Sequence, residues 1–145
     1  MSIFPTRILL ATDGSEEAEL AALRAVDLAQ RTDSELHVVH VGVVPSFLVS
    51  HPGTLGYYGK LYEQIEEDSR ELLRELSRRV EVAGGTVAGA HLRMGVQVDL
   101  EIVGLAKELG VGLIVVGCRG HRGIRRAIGG ASPLQLSATL LARSW

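Results

Sequence analysis

Apolar and polar positions fall into blocks along the chain, and the blocks predict two kinds of element. Arg7-Ile8-Leu9-Leu10-Ala11-Thr12 is a short apolar run closed by Asp13-Gly14-Ser15, the pattern of a buried strand followed by a turn. Ser15 then precedes Glu16, Glu17 and Glu19, a small polar cap followed by acids where the helix dipole favours them. Ala18, Ala21, Ala22, Ala25, Val26 and Ala29 recur at helical spacing, which predicts a first helix ending near Arg31. Leu36 to Val41 is a second apolar run, and its β-branched Val38, Val39 and Val41 favour a strand. Val43 to Gly59 carries Pro45, Pro52 and three glycines and reads as a long loop. Leu61, Ile65, Leu72, Leu76 and Val80 then form a helical stripe backed by a charged face from Lys60 to Arg79, and Gly84-Gly85 stops it. Thr86 to Arg93 is a weaker third strand. Val98, Ile102, Leu105, Ala106 and Leu109 form a further helix stopped by Gly110, and Leu113-Ile114-Val115-Val116 is the clearest strand of all.

The order is therefore β-α-β-α-β-α-β without tandem hairpins. Right-handed crossovers convert that order into an open, doubly wound parallel α/β sheet with helices on both faces, a Rossmann-like architecture in one domain spanning residues 1–145. Such sheets take ligands beyond the carboxyl ends of their strands, near the point where strand order reverses. The turns after strands one, two and four are the places to look.

Composition narrows the classes. The chain has 145 residues, 46% apolar and 4% aromatic, with its one Trp at position 145. That length supports a core without disulfides or structural metals. A formal charge of -2 gives no polyelectrolyte signal, so nucleic acid is not an expected partner. The lone Cys118 excludes an internal disulfide and any multi-cysteine zinc site, and the histidines are scattered in sequence, so no metal site is expected. No apolar run reaches the length of a membrane span, and Met1-Ser2-Ile3-Phe4-Pro5 lacks the basic start and apolar stretch of a signal peptide. The expected location is the cytoplasm, with no membrane partner.

Two features sit on the turns of interest. Asp13 follows strand one. After strand four come Gly117, Gly120, Gly123, Gly129 and Gly130, interleaved with Arg119, Arg122, Arg125, Arg126 and His121. Glycine lets backbone approach a ligand closely, and free N–H groups can cradle phosphate. A cationic, glycine-rich turn in a net acidic chain suits a polyanion such as a nucleotide triphosphate; a solvated loop with no ligand accounts for the same residues.

Ala11-Thr12-Asp13-Gly14-Ser15, Val38-Val39-His40-Val41 and Val115-Val116-Gly117-Cys118-Arg119-Gly120 resemble the universal stress protein family. Its nucleotide-binding subgroup carries G-x2-G-x9-G-[S/T] after strand four, and Gly117, Gly120 and Gly130 match that spacing. The resemblance implies a fold similar to adenine nucleotide alpha hydrolases. It also implies binding of an adenine nucleotide, ATP with or without Mg2+, by a stress-response sensor or regulator without dedicated catalysis. Asp13 and the backbone around Val41 would then face adenine and ribose, Gly117, Gly120 and Gly130 would line the phosphates, and Ala11, Thr12, Arg119, Ala131 and Ser132 would belong to the same nucleotide site. Ala131 stands where the pattern has a hydroxyl residue; Ser132 comes one position late.

The resemblance stops after Gly130. Relatives continue with a segment similar to V-S-x-A-V-V-R-H-A-P-C-P-V-L and a last strand through which they dimerise. Here Ala131 to Trp145 has no β-branched final run. Restoring one base ahead of the codon for Ala131 lets codons that encode the observed tail read S-V-S-T-A-V-V-R-H-A-P-C-P-V-L instead. The expectation is a one-base deletion at that codon. Ser132 as cap, Pro133 at the first position and Leu134, Ala138 and Leu141 on one face predict a last helix in the observed frame. A fifth strand is not expected, and with it goes the usual homodimer interface.

Other readings fall on specific residues. A phosphotransfer receiver needs an acidic pair after strand one and an Asp after strand three, where this chain has His91-Leu92-Arg93. A P-loop needs Gly-Lys-[Ser/Thr], which does not occur, and a dinucleotide fold needs its glycine fingerprint after strand one. A weak ATP hydrolase and a nucleotide-free interaction module of the same fold stay open as rivals. His40 reads as a satisfied core residue, Cys118 as a small turn residue, and Tyr57, Tyr58 and Tyr62 as packing at a helix start.

Overall fold

Every apolar run read as a strand forms one, and the strands lie side by side. The structure is a computed structural model and describes residues 4–12, 17–50, 58–117 and 139–142. The elements are β1 (Arg7–Thr12), α1 (Glu17–Thr32), β2 (Glu35–Val43), α2 (Ser46–Ser50), α3 (Gly59–Val82), β3 (Gly89–Gly95), α4 (Val98–Leu109), β4 (Leu113–Gly117) and β5 (Thr139–Ala142). They build one sheet in the order β3-β2-β1-β4-β5. The first four strands are mutually parallel, as the alternation of strands and helices requires.

Strand alternation splits the core in two. Ile8, Leu10, Leu36, Val38, Leu113 and Val115 point to one face and meet Ala21, Ala22, Ala25 and Val26 of α1 and Leu76 and Val80 of α3. The alanines keep α1 thin enough to lie close on the sheet. Leu9, Ala11, Val39, Val41, Ile114 and Val116 point to the other face and meet Ile102, Leu105 and Ala106 of α4. Each large apolar side chain buried this way contributes about 1.5–3 kcal/mol. Gly110 ends α4 in the left-handed region at φ 67°, where a side chain would be strained. Its closure is of the Schellman type, with Val111 N donating to Ala106 O at 2.9 Å and Gly110 N to Lys107 O at 3.2 Å.

Three expectations change. The loop from Val43 to Gly59 contains α2, a single turn in which Leu48 N donates to Pro45 O at 3.0 Å and the Leu48 side chain is buried. Five residues are too few to show a helical period. The third strand runs later than Thr86–Arg93, because β2 extends to Val43 and offers β3 pairing partners up to Gly95. The sheet also has a fifth strand: Thr139–Ala142 pairs antiparallel with β4, Leu113 opposite Ala142 and Val116 opposite Thr139. The outer edge of β4 otherwise leaves a row of N–H and C=O groups unpaired, and a short apolar segment satisfies them. Leu141 is thus a strand residue rather than part of a last helix; the rest of that predicted helix lies outside the described residues.

Candidate functional site

The strand order fixes where a ligand can enter. From β1 the chain crosses to β2 and β3 on one side, while β4 pairs with the opposite side of β1. Strand order therefore reverses between β1 and β4, and the crevice lies at their carboxyl ends. Register places Thr12 opposite Gly117 there, the last residues of their strands, with Ala11 flanked by Val116 on one side and Val39 on the other. Beyond Val39 the neighbouring strand continues to Val43, paired with β3 as far as Gly95. At roughly 3.3 Å per residue, β2 rises as a wall beside the lower floor formed by β1 and β4. Val41 belongs to that wall and to the same face as Ala11 and Val116.

The floor and wall are apolar and rigid. Ala11, Val41 and Val116 are each at most 6% exposed, and Thr12 is half-buried. Gly117 is buried at the switch point and carries no side chain of its own to separate its backbone from a neighbour. The wall is set by a residue that sequence reading passed over. A Cβ on Gly42 would lie 2.5 Å from Ser69 Oγ and 2.6 Å from Met94 Sδ, so any larger residue here would displace the Ser69 and Met94 side chains that close on β2 beside Val41. Ser69 Oγ is itself satisfied by donating to Ile65 O at 2.6 Å. The signal was present as one glycine within the β-branched run His40-Val41-Gly42-Val43.

Of the residues singled out from the sequence, the structure brings together Ala11, Thr12, Val41 and Gly117. Asp13, Arg119, Gly120, Gly130, Ala131 and Ser132 lie outside the described residues, as does Cys118. His40 is buried on β2, and the Tyr58 ring packs edge-on against Phe47 with centroids 5.2 Å apart.

A second polar cluster was not visible in sequence. His37 and His91, distant in the chain, stack with ring centroids 5.5 Å apart, and His37 Nδ1 lies 3.3 Å from His91 Nε2. The register that pairs His37 with Gly89 and Val39 with His91 puts both imidazoles on one face of the β2–β3 seam. His37 Nε2 is buried, 3.4 Å from Glu35 Oε1 without hydrogen-bond geometry. Burial pushes the pKa of His91 down, and the neighbouring His37 and Arg93 push it further; only Glu108 opposes them. Among the described residues no group of three or more His, Cys, Asp or Glu is placed to hold a metal ion, and no helix is long and apolar enough to cross a membrane.

Comparison with known proteins agrees with this architecture. The model of the universal stress protein family matches residues 5–135. A universal stress protein of Bacillus subtilis is 32% identical over 134 residues, covering 86% of each chain. The universal stress protein from Archaeoglobus fulgidus in complex with dAMP superposes with a TM-score of 0.65 at 21% identity, over 90% of this chain and 96% of that one. A universal stress protein in complex with cAMP does so with a TM-score of 0.56 at 23% identity, over 94% and 90%. The chain belongs to the universal stress protein family.

Proposed function

We propose that this protein binds an adenine nucleotide, ATP with Mg2+ carried on its phosphates, at the carboxyl edge between β1 and β4, and acts as a stress-response regulator without dedicated catalysis. The observation that carries this reading is the Thr12–Gly117 pairing at the reversal of strand order, beside the Val41 wall. The apolar Ala11 and Val41 suit the faces of an adenine ring. Asp13 would accept from ribose hydroxyls or the adenine amino group. Gly117, Arg119, Gly120, Gly130 and the Ala131-Ser132 pair would hold the phosphates through backbone N–H groups and one guanidinium. Two relatives of the same fold are described in complex with dAMP and cAMP, which share adenine and a 5′-phosphorylated sugar. The reading includes a cytoplasmic location, and a homodimer would need an interface other than the usual last strand.

One observation favours a second reading, a nucleotide-free interaction module: Ala131 lacks the hydroxyl that the glycine pattern places there. Thermal shift with ATP and Mg2+ separates the two. Nucleotide at a hundred times its Kd stabilises a one-site protein by about 2.7 kcal/mol. A rise in Tm that saturates with ATP supports binding; an unchanged Tm at millimolar ATP supports the module.

A further inference from the structure

We propose that His37 and His91 form an acid-sensitive latch that holds the edge strand β3 against β2 at neutral pH and loosens it when both imidazoles carry a proton. The latch is independent of nucleotide binding. β3 lies at the end of the sheet, so among the described residues β2 is the one strand it pairs with. All its residues are at least partly exposed, whereas β1 and β4 are almost wholly buried. Added to the parallel ladder of seven residue pairs across this seam is a side-chain tie, the contact of His37 Nδ1 with His91 Nε2 at 3.3 Å. Such a contact needs one nitrogen to donate and the other to accept, so it exists only while at least one ring is neutral.

The rings have little room to part. His37 is 8% exposed, and the position a Cβ would take on Gly89 lies 2.8 Å from His37 Nδ1 and 3.0 Å from His91 Nε2, so the two rings fill the space a side chain at Gly89 would need. The charged groups facing the pair come from each element packed on it. Glu35 of β2 offers a cationic His37 a counter-charge at 3.4 Å, although it is shared with Arg7 of β1 at 3.6 Å. Glu108 of α4 is bound to Arg93 of β3, so its charge is largely spent when a proton reaches His91. A second cation on the pair, of which His37 is buried and His91 partly exposed, therefore has no free partner among the described residues.

The sign follows from linkage. In the fold His91 protonates below its ordinary value of 6.5, so in acid the unfolded chain binds more protons than the native one. Stability is full above that value, falls as pH drops through it, and the loss is complete below the lowered folded value.

Hydrogen exchange on the full chain at about pH 7.5 and about pH 5, corrected for intrinsic rates, tests the latch. Amides of His37–Val43 and Gly89–Gly95 should lose protection by about fivefold or more relative to those of β1 and β4. His91→Gln should abolish that excess loss. Equal pH dependence in both seams, or an excess loss unchanged by His91→Gln, overturns the proposal. Imidazole NMR titration of the unaltered chain decides the matter should the variant fail to fold. His91 protonating at a depressed pH supports the latch; a His91 titration at its ordinary value overturns it.

Discussion

The sheet holds two seams built on opposite terms. Between β1 and β4, Ile8, Leu9, Leu10, Leu113, Ile114 and Val115 are all at most 5% exposed and no ionisable side chain intrudes before Thr12 and Gly117. Between β2 and β3, the pairing carries His37, His91 and Arg93, and the outer strand is open to water along its length. The difference teaches where precision is held. A strand covered on both faces and paired on both edges cannot shift register without exposing its whole apolar set, so the carboxyl ends of β1 and β4 are fixed relative to one another. An edge strand tied by titratable groups responds to conditions instead. The proposed nucleotide site rests on the first seam, and the proposed acid response belongs to the second.

The comparison breaks first in the core. Leu10→Ala should cost about 2–5 kcal/mol, read as a shift in urea midpoint at unchanged slope, because the sheet and α1 cannot collapse into the gap. Leu92→Ala on half-exposed β3 should cost clearly less, and equal losses would erase the distinction between seams. Next comes the ligand. Gly117→Val puts a branched side chain at the switch point and should weaken ATP binding about tenfold or more, close to 1.4 kcal/mol, with the circular dichroism spectrum unchanged. A variant with native affinity would move the site elsewhere. A smaller effect is expected at Gly110→Ala, where the left-handed backbone at φ 67° makes a side chain cost roughly 1 kcal/mol in chemical denaturation. The least comes from the surface of α3. Glu75 accepts from Arg78 and Arg79, and those hydrogen bonds hold its pKa below the usual range, yet Arg78 is exposed and Glu75 and Arg79 are only partly covered. Glu75→Gln should leave Tm unchanged within error.

Much of this was legible in the residues. Arg7–Thr12 and Val98–Leu109 are bounded in the structure where their apolar periods and the flanking Asp13 and Gly110 end them. The parallel order of the first four strands followed from helices separating every pair. The missing parts needed information a local pattern does not carry. α2 is one turn, held by Leu48 and by Phe47 against Tyr58 rather than by a period. β3 is shifted because its partner, not its own composition, sets its end. The His37–His91 contact depends on which strands are neighbours and on their register, so two histidines remote in sequence gave no signal. β5 forms because an edge needed pairing, a property of β4 rather than of Thr139–Ala142. At the candidate site, Ala11, Thr12, Val41 and Gly117 were identified by position in a recognisable pattern, and their convergence follows from strand order. The frame reading of the tail is tested by sequencing the gene through the codon for Ala131: a shifted frame that does not read S-V-S-T-A-V-V removes it.

The central claim is that an adenine nucleotide sits where β1 and β4 end. Amide chemical shifts of the labelled chain titrated with ATP and Mg2+ test it most directly. The account predicts saturable shifts concentrated at Ala11, Thr12, Val41 and Gly117, with His37 and His91 unmoved. Shifts confined to any other edge of the sheet, or none at millimolar nucleotide, would contradict it.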